Sequence, residues 1–498
     1  MKLSLLLETC GLRHDGPDPE ITSVVNDSRQ AGPGALFFAL PGAKTDGAMF
    51  IRQALEKGAA AVISAGEPPA EIRAAFPGAA LLKAGEISSA LSRISAAFYG
   101  RPSGRLKVFG ITGTKGKTTT AYLLESALRL AGSRPGVIGT IDYRIDGKVI
   151  AQAANTTPLA HTLQELLARM AAADSLTAVM EVSSHALALG RVEDVDFDCA
   201  IFTNLQQDHL DFHKDRESYF QAKARLFDLL ERSPKKDKCA VINADDERAG
   251  WLLKRLKGKV RTVTFGIENS ADFRAADIEI LETMTRFSLK AGAETLPVKL
   301  NLLGRHNIYN ALAAIAAAAS AGGLRLRAAA DGVQALANVP GRLERVEAGQ
   351  DFTVFVDYAH TEAALESVLS NLGLLPHNRL ITVFGCGGDR DRTKRAPMGA
   401  VACALSDLAI ITSDNPRSED PLAIIDDIEQ GVTDKYSNFE VLPDRGDAIE
   451  KAILQARKGD IVLIAGKGHE TYQILKDKTI DFSDTQTAAA AIRKKLGL

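Results

Sequence analysis

The sequence has few cysteines, and their arrangement excludes two common uses of that residue. The five, Cys10, Cys199, Cys239, Cys386 and Cys403, are odd in number, widely spaced and without a CxxC pair. A disulfide framework needs paired cysteines and a zinc site needs clustered ones, so neither is predicted. A reducing compartment is the simpler setting, and we expect a cytoplasmic protein.

Long apolar runs are also missing. No stretch reaches the ~18 to 20 apolar residues that span a bilayer. The apolar residues of the opening MKLSLLLETCG end at Glu8, too early for the core of a signal peptide, so this stretch is expected to be a first helix. The sequence therefore predicts no membrane anchor.

An excess of charge of either sign is absent as well. The formal net charge of −2 provides neither a basic field for nucleic acid nor a polybasic membrane anchor. Hydrophobic residues make up 46% of the chain and charged residues 24%, which is typical of a folded globular protein. We expect small-molecule partners, no nucleic acid, and a monomer.

The chain of 498 residues is too long for one core, and a prior of ~150 residues per domain suggests about three domains. Turn-rich segments, RPSGR and NVPGR, divide it into blocks at 1–103, 104–337 and 338–498. The third block alternates apolar runs (FTVFVDY, RLITVFG, LAIITSD, DIVLIAG) with helical segments. This alternation predicts an α/β fold with a mostly parallel sheet.

A glycine-rich segment opens the second block in the order strand, loop, helix. The strand KVFGIT leads into Gly113 and Gly116, followed by Lys117, Thr118 and a helix-forming segment. Glycines let backbone amides approach an anion, and the helix N-terminus adds its positive dipole end. Lys117 would neutralise phosphate charge and the Thr118 hydroxyl would bind Mg²⁺. The spacing is GxxGKT rather than GxxxxGK[ST], and the alternative is a glycine-rich turn with an exposed lysine.

Three later segments place polar groups in an apolar context. AVMEVSSHAL carries Glu181 at a predicted strand end, IFTNLQQDHLDFH carries His209 after another, and SYFQAKARLF carries Lys223. A carboxylate and an imidazole at adjacent strand ends could hold a hard cation. Taken alone, His209 is typical of a loop histidine, and Lys223 of a helix lysine whose stem packs on apolar surface.

Together the GTxGKTT loop, EVSSH, DHLDFH and AK..LF, in this order, resemble the Mur ligase family, which includes the folylpolyglutamate synthetases. The resemblance covers essentially the whole chain. Lys115 stands where many members carry Asn. The resemblance implies three α/β domains: an N-terminal UDP-binding domain, a central P-loop ATPase-like domain with a parallel sheet, and a C-terminal Rossmann-like domain.

The resemblance also implies the residues of an ATP and metal site. ATP contacts carry over to Gly113, Thr114, Lys115, Gly116, Lys117, Thr118, Thr119, His306, Asn307 and Arg342. Metal ligands carry over to Thr118, Glu181, His209 and Lys223, the last as a CO₂-derived carbamate. An apolar pocket would ease deprotonation of the lysine, which carbamylation requires. The planar amide of Asn307 suits a purine edge, with capping of the following helix as the alternative.

Two residues near the start of the third block complete the implied catalytic set, which is Lys117, Lys223, Arg342 and Asp357. In the family, the equivalents of Arg342 and Asp357 reach the ATP phosphates when the domains close. Closure of this kind would exclude water from a labile intermediate.

Four polar loops follow the apolar strands of the third block: DYAHT, GCGGDRDRTKR, SDNPRSEDP and GKGHET. In an open parallel sheet, ligands bind outside the carboxyl ends of the strands. The loops are therefore predicted to converge on one crevice, which we expect to face the phosphate loop.

The DNPR tetrad resembles the diaminopimelate-adding members of the family, whereas lysine-adding members usually lack its arginine. The guanidinium of Arg417 would pair with the carboxylate that ends the diaminopimelate side chain, and would repel the ammonium of lysine. The alternative is a surface arginine paired with Glu419 or Asp420. The resemblance implies that diaminopimelate is bound by Arg390, Asp414, Asn415, Pro416, Arg417, Gly466 and Glu470.

The first block resembles the family segment that binds the uridine nucleotide of the precursor. The implied precursor contacts are Ser28, Lys44, Thr45, Asp46, Thr156, Thr157, Ser183 and Arg191. Leu189 stands where relatives often carry a polar residue, so one of the family's hydrogen bonds is expected to be missing.

The resemblance implies an ATP- and Mg²⁺-dependent, amide-bond-forming ligase of peptidoglycan synthesis. It would add meso-2,6-diaminopimelate to UDP-N-acetylmuramoyl-L-alanyl-D-glutamate through an acyl phosphate. A lysine-adding relative, a folylpolyglutamate synthetase and a P-loop switch that hydrolyses ATP to change partners are the alternatives. The synthetases lack the first block and the DNPR loop, and a switch would leave the third-block loops without a role.

Overall fold

The computed structural model describes residues 1–42, 45–206, 208, 212–281 and 283–498. These residues form two compact units, both of α/β type. The first comprises Met1–Ala276, Leu289–Leu296 and Tyr309–Ala335, and the second Asp277–Ser288, Pro297–Ile308 and Leu336–Leu498. None of the helices in the described ranges has the length and apolar character that a membrane crossing requires.

The N-terminal part of the first unit is a parallel sheet with strand order β1-β2-β3-β4 and flanking helices. Successive strand residues point to opposite faces, so Phe37 and Phe38 enter two separate apolar clusters. The predicted first helix is present. In chain order the elements are α1 (Leu3–Glu8), β1 (Ser23–Val25), β2 (Ala35–Ala39), α2 (Ile51–Glu56), β3 (Ala61–Ser64), α3 (Ala70–Ala75), β4 (Ala80–Lys83) and α4 (Ile87–Phe98).

A second sheet follows in the first unit. Its elements are β5 (Lys107–Thr112), α5 (Lys117–Leu130), β6 (Gly136–Ile138), β7 (Asp142–Ile145), β8 (Lys148–Gln152), α6 (Ala160–Ala172), β9 (Thr177–Glu181), α7 (Ser184–Ala188), β10 (Cys199–Phe202), α8 (Arg216–Arg232), β11 (Cys239–Asn243), α9 (Ala249–Leu256) and β12 (Arg261–Gly266). Strands β6-β9-β5-β10-β11-β12 are parallel neighbours, and β7 and β8 extend the β6 edge as antiparallel strands.

Strand β5 lies between β9 and β10, and this order determines what surrounds the glycine loop. Ile111 pairs with Glu181 on one side, and Thr112 pairs with Phe202 on the other. The strands are buried on both faces, as near-continuous apolar runs in a parallel sheet require. The polar residues that follow β9 and β10 are therefore brought beside the loop that follows β5.

The segment that is divided between the two units contains β13 (Phe273–Ile280), β14 (Thr285–Ala291), β15 (Glu294–Leu300), α10 (Arg305–Ser320) and α11 (Leu326–Gln334). The alanine-rich part of α10 is buried. Helix α11 packs closely on α5, because a Cβ at Gly332 would lie 2.2 Å from the Cα of Ala127. The Ser126 hydroxyl also donates to the Gly332 carbonyl at 2.6 Å. Helix α5, which follows the glycine loop, is thus held in place by its contact with α11.

The second unit contains a sheet of order β16-β17-β21-β18-β19-β20, parallel except for β16, with apolar clusters on both faces. The four predicted strands are confirmed as β17, β18, β19 and β21. The elements are β16 (Glu344–Arg345), β17 (Thr353–Asp357), α12 (Glu362–Gly373), β18 (Leu380–Phe384), α13 (Arg395–Leu405), β19 (Leu408–Ile411), α14 (Pro421–Glu429), β20 (Phe439–Val441), α15 (Arg445–Gln455), β21 (Ile461–Ala465), β22 (Tyr472–Ile474), β23 (Thr479–Asp481) and α16 (Asp484–Leu496).

A fully buried ion pair joins the first residues of α15 and α16. Arg445 donates from Nε and Nη2 to the two carboxylate oxygens of Asp484, each at 2.7 Å. The same guanidinium donates to the carbonyls of Ser413 at 3.3 Å and Ala465 at 2.9 Å. These carbonyls directly precede the DNPR and GKGHE loops, so the Arg445–Asp484 pair fixes the start of both loops.

Replacing Asp484 with Ala should lower the free energy of unfolding by about 3 to 5 kcal/mol, because it leaves the Arg445 charge buried and uncompensated. Chemical denaturation of the purified chain measures the shift. The matched control is Glu450→Ala, which removes the partner of Lys494 from an exposed pair and should cost less than about 1 kcal/mol. Equal shifts for the two variants would contradict the assigned role of the buried pair.

Candidate active site

The loop between β5 and α5 requires glycine at two positions. Gly113 and Gly116 have φ values of 150° and 86°. A Cβ at Gly113 would lie 1.8 Å from Oγ1 of Thr203, and one at Gly116 would lie 2.2 Å from Oδ1 of Asn310. Other side chains are excluded by both backbone conformation and space. The two glycines thus allow an anion to approach the backbone closely at the N-terminus of α5.

Residues after β10 hold the loop in place. The Lys115 amide donates to Oδ1 of Asn204 at 2.9 Å, and Nδ2 of Asn204 donates to the Lys115 carbonyl at 3.1 Å. The Thr203 hydroxyl donates to the same carbonyl at 2.7 Å. Sequence reasoning missed Thr203 and Asn204, although two polar residues directly after a buried strand were a usable signal. Their bonds fix the backbone of Lys115, while its side chain is exposed.

Lys117, the first residue of α5, folds back across the loop. Its Nζ donates to the carbonyls of Gly113 at 2.9 Å and Thr114 at 3.0 Å. The side chain thereby lies over the glycine loop, where a phosphate group would sit. This is the position that charge neutralisation of a nucleotide requires.

Thr118 and Glu181, two predicted metal ligands, are brought together. The Thr118 hydroxyl donates to Oε2 of Glu181 at 3.0 Å in a buried position. Thr140 holds the carboxylate from the other side, donating its amide to Oε1 and its hydroxyl to Oε2, each at 2.9 Å. Hydroxyl and carboxylate oxygens are the donors that Mg²⁺ prefers, so the residues present fit this ion. Thr140, which follows β6, was missed in the sequence.

Of the other two predicted ligands, Lys223 belongs to α8, and His209 lies outside the described residues. Within the ranges that the structure does describe, no group of three or more His, Cys, Asp or Glu residues is arranged to hold a metal ion. Among the described residues, Thr118 and Glu181 are thus the predicted ligands whose side chains contact each other.

Lys223 is buried in α8 with its amine at the glycine loop. Its Nζ donates to the Gly113 carbonyl at 2.8 Å and lies 4.2 Å from the ring centroid of Tyr219. Burial lowers the pKa of Lys223 well below its usual value, and the nearby charge of Lys117 lowers it further. The direction of this shift agrees with the easier deprotonation that the sequence predicts for the lysine.

Four of the predicted precursor residues, those between 156 and 191, lie in one hydrogen-bond network beside Glu181. The Thr157 hydroxyl donates to the Glu181 carbonyl at 2.9 Å and accepts from the Ser183 amide at 3.0 Å. Nη1 of Arg191 donates to the Thr157 carbonyl at 2.9 Å. The hydroxyls of Thr156 and Thr140 are 3.1 Å apart.

Arg191 also has a buried donor that the protein leaves available. Its Nε has no hydrogen-bond partner among the residues that the structure describes. Buried polar atoms are normally bonded, so an unbonded guanidinium nitrogen is consistent with a site for an anionic ligand.

The N-terminal precursor residues have local roles that the sequence did not reveal. The buried Ser28 donates its hydroxyl to Oε1 of Gln53 at 2.6 Å. Asp46 accepts from the Ala48 amide at 2.9 Å and so caps a short 3₁₀ helix, Gly47–Phe50. Thr45 is exposed, and Lys44 lies outside the described residues. The predicted nucleotide contacts of this loop stay predictions.

Asp357 and Arg342 are linked in the second unit. The two carboxylate oxygens of Asp357 accept from the amides of Leu343 at 2.7 Å and Ala359 at 2.9 Å. Leu343 has a left-handed backbone, with φ of 45°, and the guanidinium of Arg342 lies 5.3 Å from the ring centroid of Tyr358. Asp357 therefore anchors the turn that carries Arg342, and their phosphate contacts stay predictions.

Asn307 is buried inside α10, two residues after its start. Its Nδ2 donates to the Leu303 carbonyl at 2.8 Å, so the side chain does not act as the cap of this helix and that alternative is wrong. Three residues later, in the first unit, Asn310 lies beside Gly116, with its Oδ1 3.5 Å from the Thr120 hydroxyl. Sequence reasoning missed Asn310. The purine contacts predicted for His306 and Asn307 stay predictions.

The four polar loops of the second unit converge, as predicted. A Cβ at Gly466, where φ is 116°, would lie 2.7 Å from Oδ2 of Asp414, so the loops after β21 and β19 touch. The Gly388 amide donates to the Asn415 carbonyl at 2.9 Å, so the loop after β18 contacts the loop after β19. The ring centroids of Tyr358 and His469 are 5.0 Å apart, so the loop after β17 contacts the loop after β21.

Arg417 presents its guanidinium among these loops. Its Nη1 donates to the carbonyls of Gly388 at 2.8 Å and Asn415 at 3.4 Å. Arg390, by contrast, is exposed and donates to the carbonyl of its neighbour Asp389 at 2.9 Å.

The surface-pair alternative for Arg417 is wrong. Glu419 pairs with Arg395 at 2.9 Å, and Asp420 caps α14 through the Leu422 amide. In the part of the chain that the structure describes, no carboxylate forms an ion pair with Arg417. Its positive charge lies in the crevice with only carbonyl partners.

Models of the Mur ligase family match most of the chain. The family's catalytic domain matches residues 20–99, the Mur ligase middle domain 111–318, and the glutamate ligase domain 341–468. A UDP-N-acetylmuramoyl-L-alanyl-D-glutamate–2,6-diaminopimelate ligase from Solibacter usitatus is 46% identical over 474 residues. The match covers 95% of this chain and 94% of that protein.

Solved structures agree with these matches. A structure named for the same ligase activity has a TM-score of 0.69 and 34% identity, and all of both chains is covered. A folylpolyglutamate synthase from Mycobacterium tuberculosis, complexed with ADP and AMPPCP, has a TM-score of 0.62 at 20% identity, covering 83% of this chain and 95% of its own. The second likeness shows a shared fold alone. On the family models and the full-length relative, this chain belongs to the Mur ligase family.

Proposed function

We propose that the chain is an ATP-dependent ligase that joins meso-2,6-diaminopimelate to UDP-N-acetylmuramoyl-L-alanyl-D-glutamate in cytoplasmic peptidoglycan synthesis. The observation that carries the choice of amino acid is the guanidinium of Arg417, which lies among the converging loops and whose hydrogen-bond partners within the described ranges are two backbone carbonyls. The name of the relative that is 46% identical supports the same substrates.

The first chemical step is activation of a carboxylate. One oxygen of the terminal D-glutamate carboxylate attacks the γ-phosphorus of ATP, ADP leaves, and an acyl phosphate forms. The backbone amides at the N-terminus of α5, together with the Lys117 ammonium, stabilise the charge on the transferred group. Mg²⁺ held by Thr118 and Glu181 would supply further neutralisation of phosphate charge when bound.

The second step forms the amide bond. The amine of diaminopimelate attacks the acyl carbon, phosphate leaves with the former carboxylate oxygen, and the nitrogen loses its proton. Arg417 pairs with the distant carboxylate of the amino acid, and Glu470 accepts an ammonium group. A carboxylate alone is a poor acyl donor, so amide formation depends on the first step.

The proposed organisation has three domains, 1–103, 104–337 and 338–498, with the chain acting as a monomer. His306 and Asn307 contact the adenine, and Arg342 and Asp357 reach the phosphates when the domains close around the substrates. Closure would exclude water from the acyl phosphate.

The test supplies purified protein with ATP, Mg²⁺, the UDP-muramoyl dipeptide and diaminopimelate, and follows the nucleotide-linked product by mass spectrometry. We expect one diamino acid added per ADP formed. Parallel reactions replace diaminopimelate with lysine, or the precursor and amino acid with a folate and glutamate. Product from the folate reaction alone would reverse the assignment in favour of a folylpolyglutamate synthetase.

We also propose that Lys223 carries a CO₂-derived carbamate. Its lowered pKa leaves more neutral amine at moderate pH, and the neutral amine is the form that attacks CO₂. Carbamylation would place an anion beside Lys117 in place of a second cation.

Carbon-13 NMR of protein equilibrated with ¹³C-bicarbonate should show, besides the carbamate of the N-terminal amine, a carbamate signal that grows as pH rises through the lowered pKa of Lys223. An exposed lysine should react only at higher pH, since its pKa is near 10.4. The signal should vanish in Lys223→Met and persist in Lys214→Met, which changes an exposed lysine just before α8. A signal that survives Lys223→Met would refute the assignment.

A further inference from the structure

Lys467, in the loop after β21, is completely buried although lysine almost always reaches solvent. Its neighbours Gly466 and Gly468 have φ values of 116° and 53°. A Cβ at Gly468 would lie 2.8 Å from the Cβ of Tyr358, so the loop is pressed against its neighbour. This turn directs the Lys467 side chain inward, where a charge is costly unless it is paired.

The partners of the Lys467 ammonium are two residues of the proposed amino-acid site. Nζ lies 3.1 Å from Oε2 of Glu470 and 3.2 Å from Oδ1 of Asn415. The Ile474 amide donates to the same Oδ1 at 2.9 Å, and Nδ2 of Asn415 donates to Oε2 of Glu470 at 2.8 Å. The amide of Asn415 therefore has one orientation, since a flip would turn its NH₂ group toward the Lys467 ammonium.

These bonds also set the charge that a ligand meets. Oε2 of Glu470 accepts from both Lys467 and Asn415, and neither bond uses Oε1. The carboxylate of Glu470 is thus already compensated before an amino acid binds. Arg417 contacts Asn415 through the backbone carbonyl, so Asn415 lies between two cationic side chains, those of Lys467 and Arg417.

We infer that Lys467 is a specificity-determining residue, which selects an amino-acid end group that carries a carboxylate together with its ammonium. A zwitterionic group adds no net charge beside Lys467 and Arg417, and its carboxylate is attracted by Arg417. A lone ammonium adds a positive charge to a pocket where Glu470 is already paired, and is repelled. The inference rests on the proposed function, because it assumes that diaminopimelate occupies this site.

The test compares kcat/KM for diaminopimelate and for lysine in the wild type and in Lys467→Met, which keeps the length of the side chain and removes its charge. Glu470 then meets the ligand uncompensated, and Asn415 can flip. We expect the preference for diaminopimelate to fall by at least about tenfold, since like-charge repulsion of a lone ammonium is lost. The KM values for ATP and the nucleotide precursor should stay within about twofold.

Lys467→Arg keeps the charge and should keep the preference within about threefold even where turnover is slower. If circular dichroism shows that Lys467→Met does not fold, the inference is tested with Lys467→Arg instead. Lys451→Met is the matched control, because it removes a half-exposed lysine that pairs with Glu440 on the surface of the same unit. This control should leave the preference unchanged.

A parallel fall in kcat/KM for both amino acids in Lys467→Met would mean a purely structural role and would overturn the inference. A folded Lys467→Arg without the preference would also overturn it. Failure of the proposed function has a different signature, because the wild type itself would then show no preference for diaminopimelate over lysine.

Discussion

Replacing Lys117 with Met should lower kcat for ligation by roughly 10³-fold, because the transferred phosphoryl group loses its nearest fixed positive charge. The Lys117 ammonium is held over the glycine loop by the Gly113 and Thr114 carbonyls, at 2.9 and 3.0 Å. It is therefore positioned before ATP binds. Phosphate release and amide formation should fall together, since both follow from one transfer step.

The fold should tolerate this change. The two bonds of Lys117 to loop carbonyls contribute about 0.5 to 1.5 kcal/mol each, far less than the expected loss in catalysis. The matched control is Lys148→Met on the exposed edge strand β8, which should retain full activity. Wild-type turnover in Lys117→Met would contradict a catalytic role for the glycine loop.

Replacing Arg417 with Ala should raise the KM for diaminopimelate by about 10²-fold and leave the KM for ATP unchanged. Among the residues that the structure describes, the hydrogen-bond partners of the guanidinium are the Gly388 and Asn415 carbonyls, so its loss removes the counter-charge of the substrate carboxylate without leaving a protein charge unpaired. Titration of initial rates against each substrate separates the two effects.

Two further variants sharpen this result. Arg417→Lys keeps the charge but loses the forked geometry, so it should recover only part of the affinity. Arg493→Ala changes an exposed arginine of α16 in the same unit and should leave both KM values unchanged. An unchanged KM for diaminopimelate in Arg417→Ala would place the amino acid elsewhere.

The sequence patterns predicted those parts of the site that depend on local order. A glycine loop between strand and helix, and polar loops after four buried strands, are visible in short segments because the carboxyl ends of parallel strands share one edge. Gly113, Gly116 and the convergence of the third-block loops were therefore predictable.

Contacts between residues distant in sequence were not predictable in this way. Thr140 reaches Glu181 across 41 positions, and Asn204 reaches Lys115 across 89. The position of Asn204 directly after a buried strand marks a candidate site residue, but neither this position nor the neighbourhood of Thr140 identifies the bonding partner, which follows from strand order in the sheet. The burial of Lys467 was hidden for a related reason, since a lysine between two glycines is typical of an exposed turn.

The measurement that tests the central claim most directly uses precursor labelled with ¹⁸O in the terminal D-glutamate carboxylate. If ATP activates that carboxylate, one labelled oxygen leaves in each phosphate released, and mass spectrometry of the phosphate should show a single ¹⁸O in a diaminopimelate-dependent reaction. Phosphate without label would mean that water attacks ATP, which would identify a hydrolytic switch and contradict the ligase mechanism.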